Sequence, residues 1–277
     1  MLPTFVVIGA PKAGTTSLHR YLAAHPQVFM SEPKELHFFV RDRGWRRGLG
    51  WYEERFASAG DALARGESSP GYALAPHWPS MPGRMAEVLP DARLVYLVRD
   101  PVERAISHFA QQWRMGKERK PIVRALLENP LYLDGSRYAF QVERYLRHYP
   151  GERILILRAE DLLRDRRETV RRVLRFVGVY ESWTAPELDR LHNTSAGRPG
   201  EWRWARMLRR SPAYRRVRHL LPARLRRRVT GLISRPLPPG ALEVPAEVRS
   251  ALWAELADDM ARFRSIAGVK VGEWRPA

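Results

Sequence analysis

Gly9 and Gly14 have the spacing G-x-x-x-x-G, with Lys12 between them and Thr15, Thr16 and Ser17 directly after. In such a loop, backbone amides at a helix N-terminus gather around an anionic group, and the helix dipole favours negative charge there. The ATP-binding form of this frame carries a lysine and then Ser or Thr after the second glycine. Here those places hold Thr15 and Thr16, and the lysine lies earlier, beside Ala13 inside the loop. A lysine in that place stands next to the first phosphate and whatever is attached to it. It favours a nucleotide with one reactive group on its 5′-phosphate over a triphosphate. An ordinary glycine turn of a dinucleotide-binding type of fold is the alternative.

Two further groups could do chemistry. Arg99 and, eight residues on, Ser107 can offer a guanidinium fork and a hydroxyl to a second phosphate. Arg99 alone would equally suit a salt bridge to Asp100 or a helix cap. Glu35 and His37 lie in Ser31-Glu32-Pro33-Lys34-Glu35-Leu36-His37-Phe38-Phe39. Alternation predicts them on one side of an extended stretch, with Leu36 and Phe38 on the other. A carboxylate and an imidazole so placed suit a general base and its electrostatic partner. An exposed strand edge with a hydrogen-bonded histidine is the alternative.

These residues need a frame to hold them. Phe5-Val6-Val7-Ile8 reads as a buried strand before the glycine loop, and Ser17–Ala24 has helical spacing. Residues 93–98 form a second apolar strand. Asp100, Pro101 and Glu103 then supply an N-cap, a first-turn proline and a capping box for a helix to about Trp113. A third strand over 153–157 precedes a basic helix from Leu162 to Val177, stopped by Gly178. Residues 41–80 read as long loops and short helices, and Pro245–Trp274 as a helix with Leu252, Leu256, Met260 and Phe263 on one face. Three strand-then-helix units predict an α/β fold, a P-loop-like three-layer sandwich whose central, mostly parallel sheet is flanked by helices. The 277 residues are expected to form a single domain.

Composition narrows the classes. Hydrophobic residues make up 44% and charged residues 28%, which excludes disordered and fibrous chains. With no cysteine, disulfides, thiol nucleophiles and Cys-ligated metals are excluded. No apolar run approaches a membrane span, and Met1–Ala10 lacks the basic start of a signal peptide, so a cytoplasmic protein is expected. The net charge is +18, and the stretch between Glu201 and Glu243 holds twelve arginines and no acid. Its prolines and three-to-four spacing predict short basic amphipathic helices over 201–240. This arm could act as an insert or lid, draw in an acidic acceptor, touch an anionic membrane or simply be a solvated surface.

Taken in order, the Pro-Lys-Ala-Gly-Thr-Thr-Ser loop, Lys-Glu-Leu-His-Phe-Phe, and Leu-Val-Arg-Asp-Pro-x-x-Arg-x-x-Ser resemble the sulfotransferases that use 3′-phosphoadenosine 5′-phosphosulfate (PAPS). The heparan sulfate glucosaminyl 3-O-sulfotransferases and N-sulfotransferase domains are the nearest in pattern. Residues 48–52, 67–72 and 160–162 add to the match, which spans roughly residues 5–198. The resemblance implies a sulfotransferase acting on a carbohydrate or small-molecule hydroxyl or amine, with PAPS as co-substrate, no metal and no dedicated nucleic-acid partner. By position it implies that Lys12 to Ser17 cradle the 5′-phosphosulfate, with Lys12 neutralising the leaving oxygen. Arg99 and Ser107 would hold the 3′-phosphate, Glu35 would be the base and His37 its active-site neighbour. Gly197 and Arg198 would close over the nucleotide. Ser68, Val40 and Ala196 stand where the pattern has Lys, Asp and Lys, which leaves the acceptor open. A P-loop kinase and a non-catalytic anion- or nucleic-acid-binding protein are the competing readings.

Overall fold

The computed structural model of the chain describes residues 1–40, 44–189, 200–201, 234–235, 237–268 and 274. Gly197 and Arg198 lie outside the described residues, as do the basic helices expected over 201–240, of which only residues 201, 234–235 and 237–240 are described.

The first half runs β1 (Phe5–Gly9), α1 (Thr15–Ala23), β2 (Val28–Met30), α2 (Gly48–Glu54), β3 (Ala64–Ser68), α3 (Met81–Val88) and β4 (Arg93–Val98). Then come α4 (Pro101–Arg114), α5 (Ile122–Glu128), α6 (Leu131–Asp134), α7 (Tyr138–Leu146), β5 (Ile154–Arg158), α8 (Ala159–Arg164) and α9 (Arg166–Val177). Two-residue strands β6 (Gly200–Glu201) and β7 (Ser234–Arg235) pair antiparallel, and α10 (Ala246–Ala267) closes the described chain.

The main sheet has the order β2-β3-β1-β4-β5 and is parallel throughout. From β1 the chain turns toward β2, and from β4 it turns the other way toward β5. The switch point therefore lies between β1 and β4, where open α/β sheets bind ligands beyond the carboxyl ends of their strands. The loop after Gly9 and the Arg99-Asp100 corner both leave the sheet there. β1 and β4 are apolar along almost their whole length because both faces are covered.

The structure corrects the expectation of loops and short helices over 41–80, since that stretch supplies an inner strand. β3 reads Ala-Arg-Gly-Glu-Ser, and its Glu67 and Ser68 are fully buried. Nothing in that composition favours a strand; its neighbours β1 and β2 impose one. Gly66 shows the constraint. It lies opposite Phe5 and Met30, and a methyl group there would come within 2.2 Å of the Phe5 ring and 2.6 Å of the Met30 sulfur.

Caps fix the helices that carry the site. Asp100 accepts the Glu103 N–H at 2.8 Å, as expected. The reciprocal half of the box is not made by Glu103, whose carboxylate is taken by Arg249 (2.8 Å) and Arg99 (3.6 Å). Glu160 accepts the Asp100 N–H instead, at 3.0 Å. The single basic helix expected from Leu162 is two helices, because Asp165 breaks the run and caps α9 through the Glu168 N–H. α10 buries Leu252, Leu256, Met260 and Phe263, and adds Asp259, which accepts the Ala139 and Phe140 amides at the start of α7 (3.0 and 2.9 Å).

Gly66→Ala should lower stability by about 1–3 kcal/mol through overpacking. Urea unfolding followed by fluorescence measures this, and an unchanged midpoint would mean that β3 is not pressed between its neighbours as described.

Candidate active site

The phosphate-type loop starts where β1 ends. Gly9 is required there, because a Cβ would lie 2.6 Å from that of Ala73 and 2.7 Å from the Tyr96 ring. Lys12 (φ 75°) and Gly14 (φ 92°) both adopt the left-handed conformation, which turns the chain into α1. No side chain caps α1. The amides at its first turn, around Gly14, Thr15 and Thr16, have no intrahelical carbonyl to reach and suit an anion. Ser17 follows on the same helix, half-buried.

Lys12 is the centre of charge. Burial, followed by the like charges of Arg114, Arg99 and Arg104, lowers its ammonium to about 8, and Glu35 works in the opposite sense. Lys12 and three arginines thus share one field, an arrangement that suits an anion.

Arg104 holds the loop from below. It is fully buried, and donates to Ser136 Oγ (2.7 Å), to the Tyr132 carbonyl and to the Pro11 carbonyl (3.4 Å). One guanidinium thus ties the loop to the segment between α6 and α7. Ser136 in turn donates to the Pro101 carbonyl at 2.6 Å, at the start of α4. Arg99 is set from the other side, where the Tyr138 hydroxyl donates to its carbonyl at 2.6 Å. The Arg99 side chain rests on Glu103, not on Asp100. Ser107 is half-buried on α4, three residues beyond Arg104.

Glu35 and His37 come together, though not by strand alternation. Both are left-handed, with φ of 68° and 53°, and their stretch is irregular rather than extended. Hydrogen bonds to β3 and its exit impose this course. The Glu35 N–H donates to the Ser68 carbonyl (3.0 Å) and the His37 N–H to Ser69 Oγ (3.1 Å). Lys34 Nζ lies 3.0 Å and His37 Nε2 3.5 Å from the Glu35 carboxylate. Burial pushes this carboxyl up, but the hydrogen bond from His37 and the Lys34 ammonium outweigh it and hold it at about 2.

Beneath this turn lies Glu67, fully buried, and burial raises its carboxyl above the ordinary range. Ser69 and Tyr72 donate to Oε1 at 2.5 and 2.8 Å, and Tyr52 donates to Oε2 at 2.5 Å. The Tyr72 oxygen also accepts the Phe39 N–H at 3.4 Å, and Tyr52 stacks on Phe38 with centroids 4.1 Å apart.

Lys12, Glu35, Arg99 and Arg104 are electrostatic neighbours in one site. Lys12, Glu35 and His37 are also the non-glycine residues with left-handed backbone among the described residues. Sequence reasoning did not single out Arg104, Arg114 or Glu67. Arg104 stood in the Asp-Pro-x-x-Arg-x-x-Ser run and Glu67 in Glu-Ser-Ser-Pro-Gly-Tyr, so the signal was position within a motif. For Arg114, two turns past Ser107 on α4, helical spacing was the available clue.

Arg104→Lys should cost about 2 kcal/mol or more, because a lysine lacks the fork that reaches several acceptors at once. It should also weaken uptake of inorganic pyrophosphate by the loop. Urea titration and calorimetry would read the two effects, and wild-type values in both would remove Arg104 from this role.

A family model described as "Sulfotransferase domain" matches residues 2–196. Human heparan sulfate glucosamine 3-O-sulfotransferase 3B1 is 31% identical over 187 residues, covering 64% of this chain and 46% of that protein. The membrane-associated sulfotransferase kil1 of Dictyostelium discoideum is 36% identical over 126 residues, 44% of this chain and 26% of that one. The chain spans about half the length of the heparan sulfate relatives it matches, or less. Among solved structures, a sulfotransferase from Alicyclobacillus acidocaldarius superposes with a TM-score of 0.73 at 24% identity, covering 99% of both chains, which is a likeness of fold. These relatives correct the expectation of a cytoplasmic protein: one is described as membrane-associated, and composition does not fix a compartment. Among the described residues no helix is long and apolar enough to cross a membrane. The family match runs from β1 past the end of α9, and the chain belongs to the sulfotransferase domain family.

Proposed function

We propose that this chain transfers a sulfuryl group from PAPS to a hydroxyl or amine of a carbohydrate or small-molecule acceptor. The observation that carries this reading is Lys12. It is held left-handed inside the loop, among arginines and within the field of Glu35, where a 5′-phosphosulfate would lie between cation and base. The names of the heparan sulfate relatives support a carbohydrate acceptor.

In this reading the loop amides from Ala13 to Ser17 and Lys12 bind the 5′-phosphosulfate. Arg99 and Ser107 hold the 3′-phosphate. The acceptor oxygen or nitrogen forms a bond to sulfur while the bond from sulfur to the bridging phosphate oxygen breaks. The acceptor's proton passes to Glu35, and adenosine 3′,5′-bisphosphate leaves with its new charge beside Lys12. His37 orients the acceptor and the carboxylate. A carboxyl held at about 2 is a weak base, so it acts late, when bond formation to sulfur has already made the acceptor's proton acidic. Most of the rate then comes from positioning and from charge stabilisation at the leaving phosphate.

Transfer of labelled sulfur from PAPS into fractionated acceptor pools, with mass spectrometry of the product, tests the reaction. Calorimetry should show uptake of adenosine 3′,5′-bisphosphate in preference to magnesium-ATP; the reverse preference would end the proposal. Glu35→Gln should lower turnover by about 10²–10⁴-fold with bisphosphate affinity intact.

The pH dependence follows from Lys12. Its ammonium loses its proton at about 8 in the free protein, and a bound phosphate favours the charged form. Below that pH the lysine is charged in both states and affinity is flat on this account. Above it, binding must take up a proton, so affinity should fall by up to about tenfold per pH unit. Calorimetry at pH 7 and 9 measures this. Equal affinities, with no proton uptake at pH 9, would place Lys12 away from the phosphate.

A further inference from the structure

We propose that His19 is a positioning residue which, through Ser68, fixes Glu35 relative to the donor loop. His19 lies on α1, two residues beyond the loop's Ser17, and is buried. Its Nδ1 stands 3.1 Å from Ser68 Oγ, at the end of β3. Ser68 is fully buried and so does not itself touch a substrate, but its carbonyl accepts the Glu35 N–H at 3.0 Å. Glu35 is thereby held in a left-handed conformation (φ 68°) that a glutamate does not adopt on its own account. Helix α1, the His19–Ser68 contact and the Ser68–Glu35 bond form one short path. It leads from the amides that would receive the donor's phosphate to the backbone of the base.

The surroundings of His19 agree. Burial, then Lys34 and Arg20, lower its imidazole to about 4, and Glu35 acts in the opposite direction, so the ring lies beside the Lys34–Glu35 pair. A neutral imidazole can keep the Ser68 contact in either tautomer, with the ring N–H donating to the hydroxyl or the hydroxyl donating to the ring nitrogen. The link therefore persists across the ordinary pH range. The position held by Ser68 offers a hydroxyl and a carbonyl in place of a charge, and both are used for geometry.

This inference rests on the sulfuryl-transfer reading for its kinetic half only. The test compares full-length His19→Leu, Ser68→Ala and His19→Asn with the wild type. Three quantities are measured: exchange of the Glu35 amide by NMR, the Kd for adenosine 3′,5′-bisphosphate, and kcat and KM for PAPS with heparan sulfate as the acceptor probe. In His19→Leu and Ser68→Ala the Glu35 amide should exchange about tenfold faster or more, and kcat should fall by about 10- to 100-fold. The Kd and the KM for PAPS should stay within about twofold, because the loop amides are untouched. Asparagine, which can present a polar atom near the place of Nδ1, should recover most of both losses. Wild-type exchange and kcat in folded His19→Leu would overturn the proposal. So would a loss of bisphosphate affinity in step with kcat, which would make His19 a support of the loop. Where His19→Leu does not fold, Ser68→Ala and His19→Asn decide by the same readings. A wild type that binds no bisphosphate defeats the functional reading, and the Glu35 exchange comparison still decides the positioning.

Discussion

A buried carboxylate must find donors, and Glu67 finds three hydroxyls. An ionised group taken out of water without partners costs several kcal/mol, so Tyr52, Ser69 and Tyr72 are not free to drift. Each of the three in turn holds the turn over residues 35–39. Ser69 accepts from His37, Tyr72 accepts from Phe39, and Tyr52 stacks on Phe38. The irregular course of residues 35–39 is therefore dictated by one buried carboxyl group on a strand below it. Arg104 plays the matching part beneath the glycine loop, a buried cation satisfied by the Pro11 and Tyr132 carbonyls and the Ser136 hydroxyl. A buried carboxyl group and a buried guanidinium thus brace the two halves of the site, each through neutral dipoles.

That bracing is needed because the site is strained. Lys12, Glu35 and His37 each hold a backbone conformation that costs an L residue about 1 kcal/mol or more. Glycine would relieve the strain at any of the three, but would remove the ammonium, the carboxylate or the imidazole. Strain of this kind persists only where the surroundings over-determine the backbone. The surroundings here are the Glu67 hub, the Ser68 carbonyl and the Arg104 anchor.

Much of the frame was legible in the sequence. The apolar runs of β1, β4 and β5, the Asp100-Pro101 corner and the periodic face of α10 follow from covering a parallel sheet on both faces. β3 was not legible. Its residues are polar because Glu67 and Ser68 serve the site, and hydrophobic patterning is blind to a strand whose burial is satisfied by hydrogen bonds. For the same reason Glu35 and His37 were placed correctly beside each other but for the wrong reason. Their closeness comes from tertiary hydrogen bonds that bend the backbone, where local alternation would have predicted an extended one. The break between α8 and α9 came from Asp165, whose side chain competes for a helix N-terminus within an otherwise continuous basic pattern.

The electrostatics of the site and the proposed reaction also fit one another in sign. Lys12 is depressed to about 8 by burial and by its fellow cations, while Glu35 is held at about 2 by His37 and Lys34. Lys12 keeps its charge below about 8, whereas Glu35 is far from the proton affinity that its proposed task would use. A polyanionic nucleotide entering between them moves both in the useful direction: it favours the charged lysine, and it disfavours the charged carboxylate. In the proposed reaction Lys12 would thereby become a firmer partner for the departing phosphate, and Glu35, as the proposed base, would gain strength from donor binding.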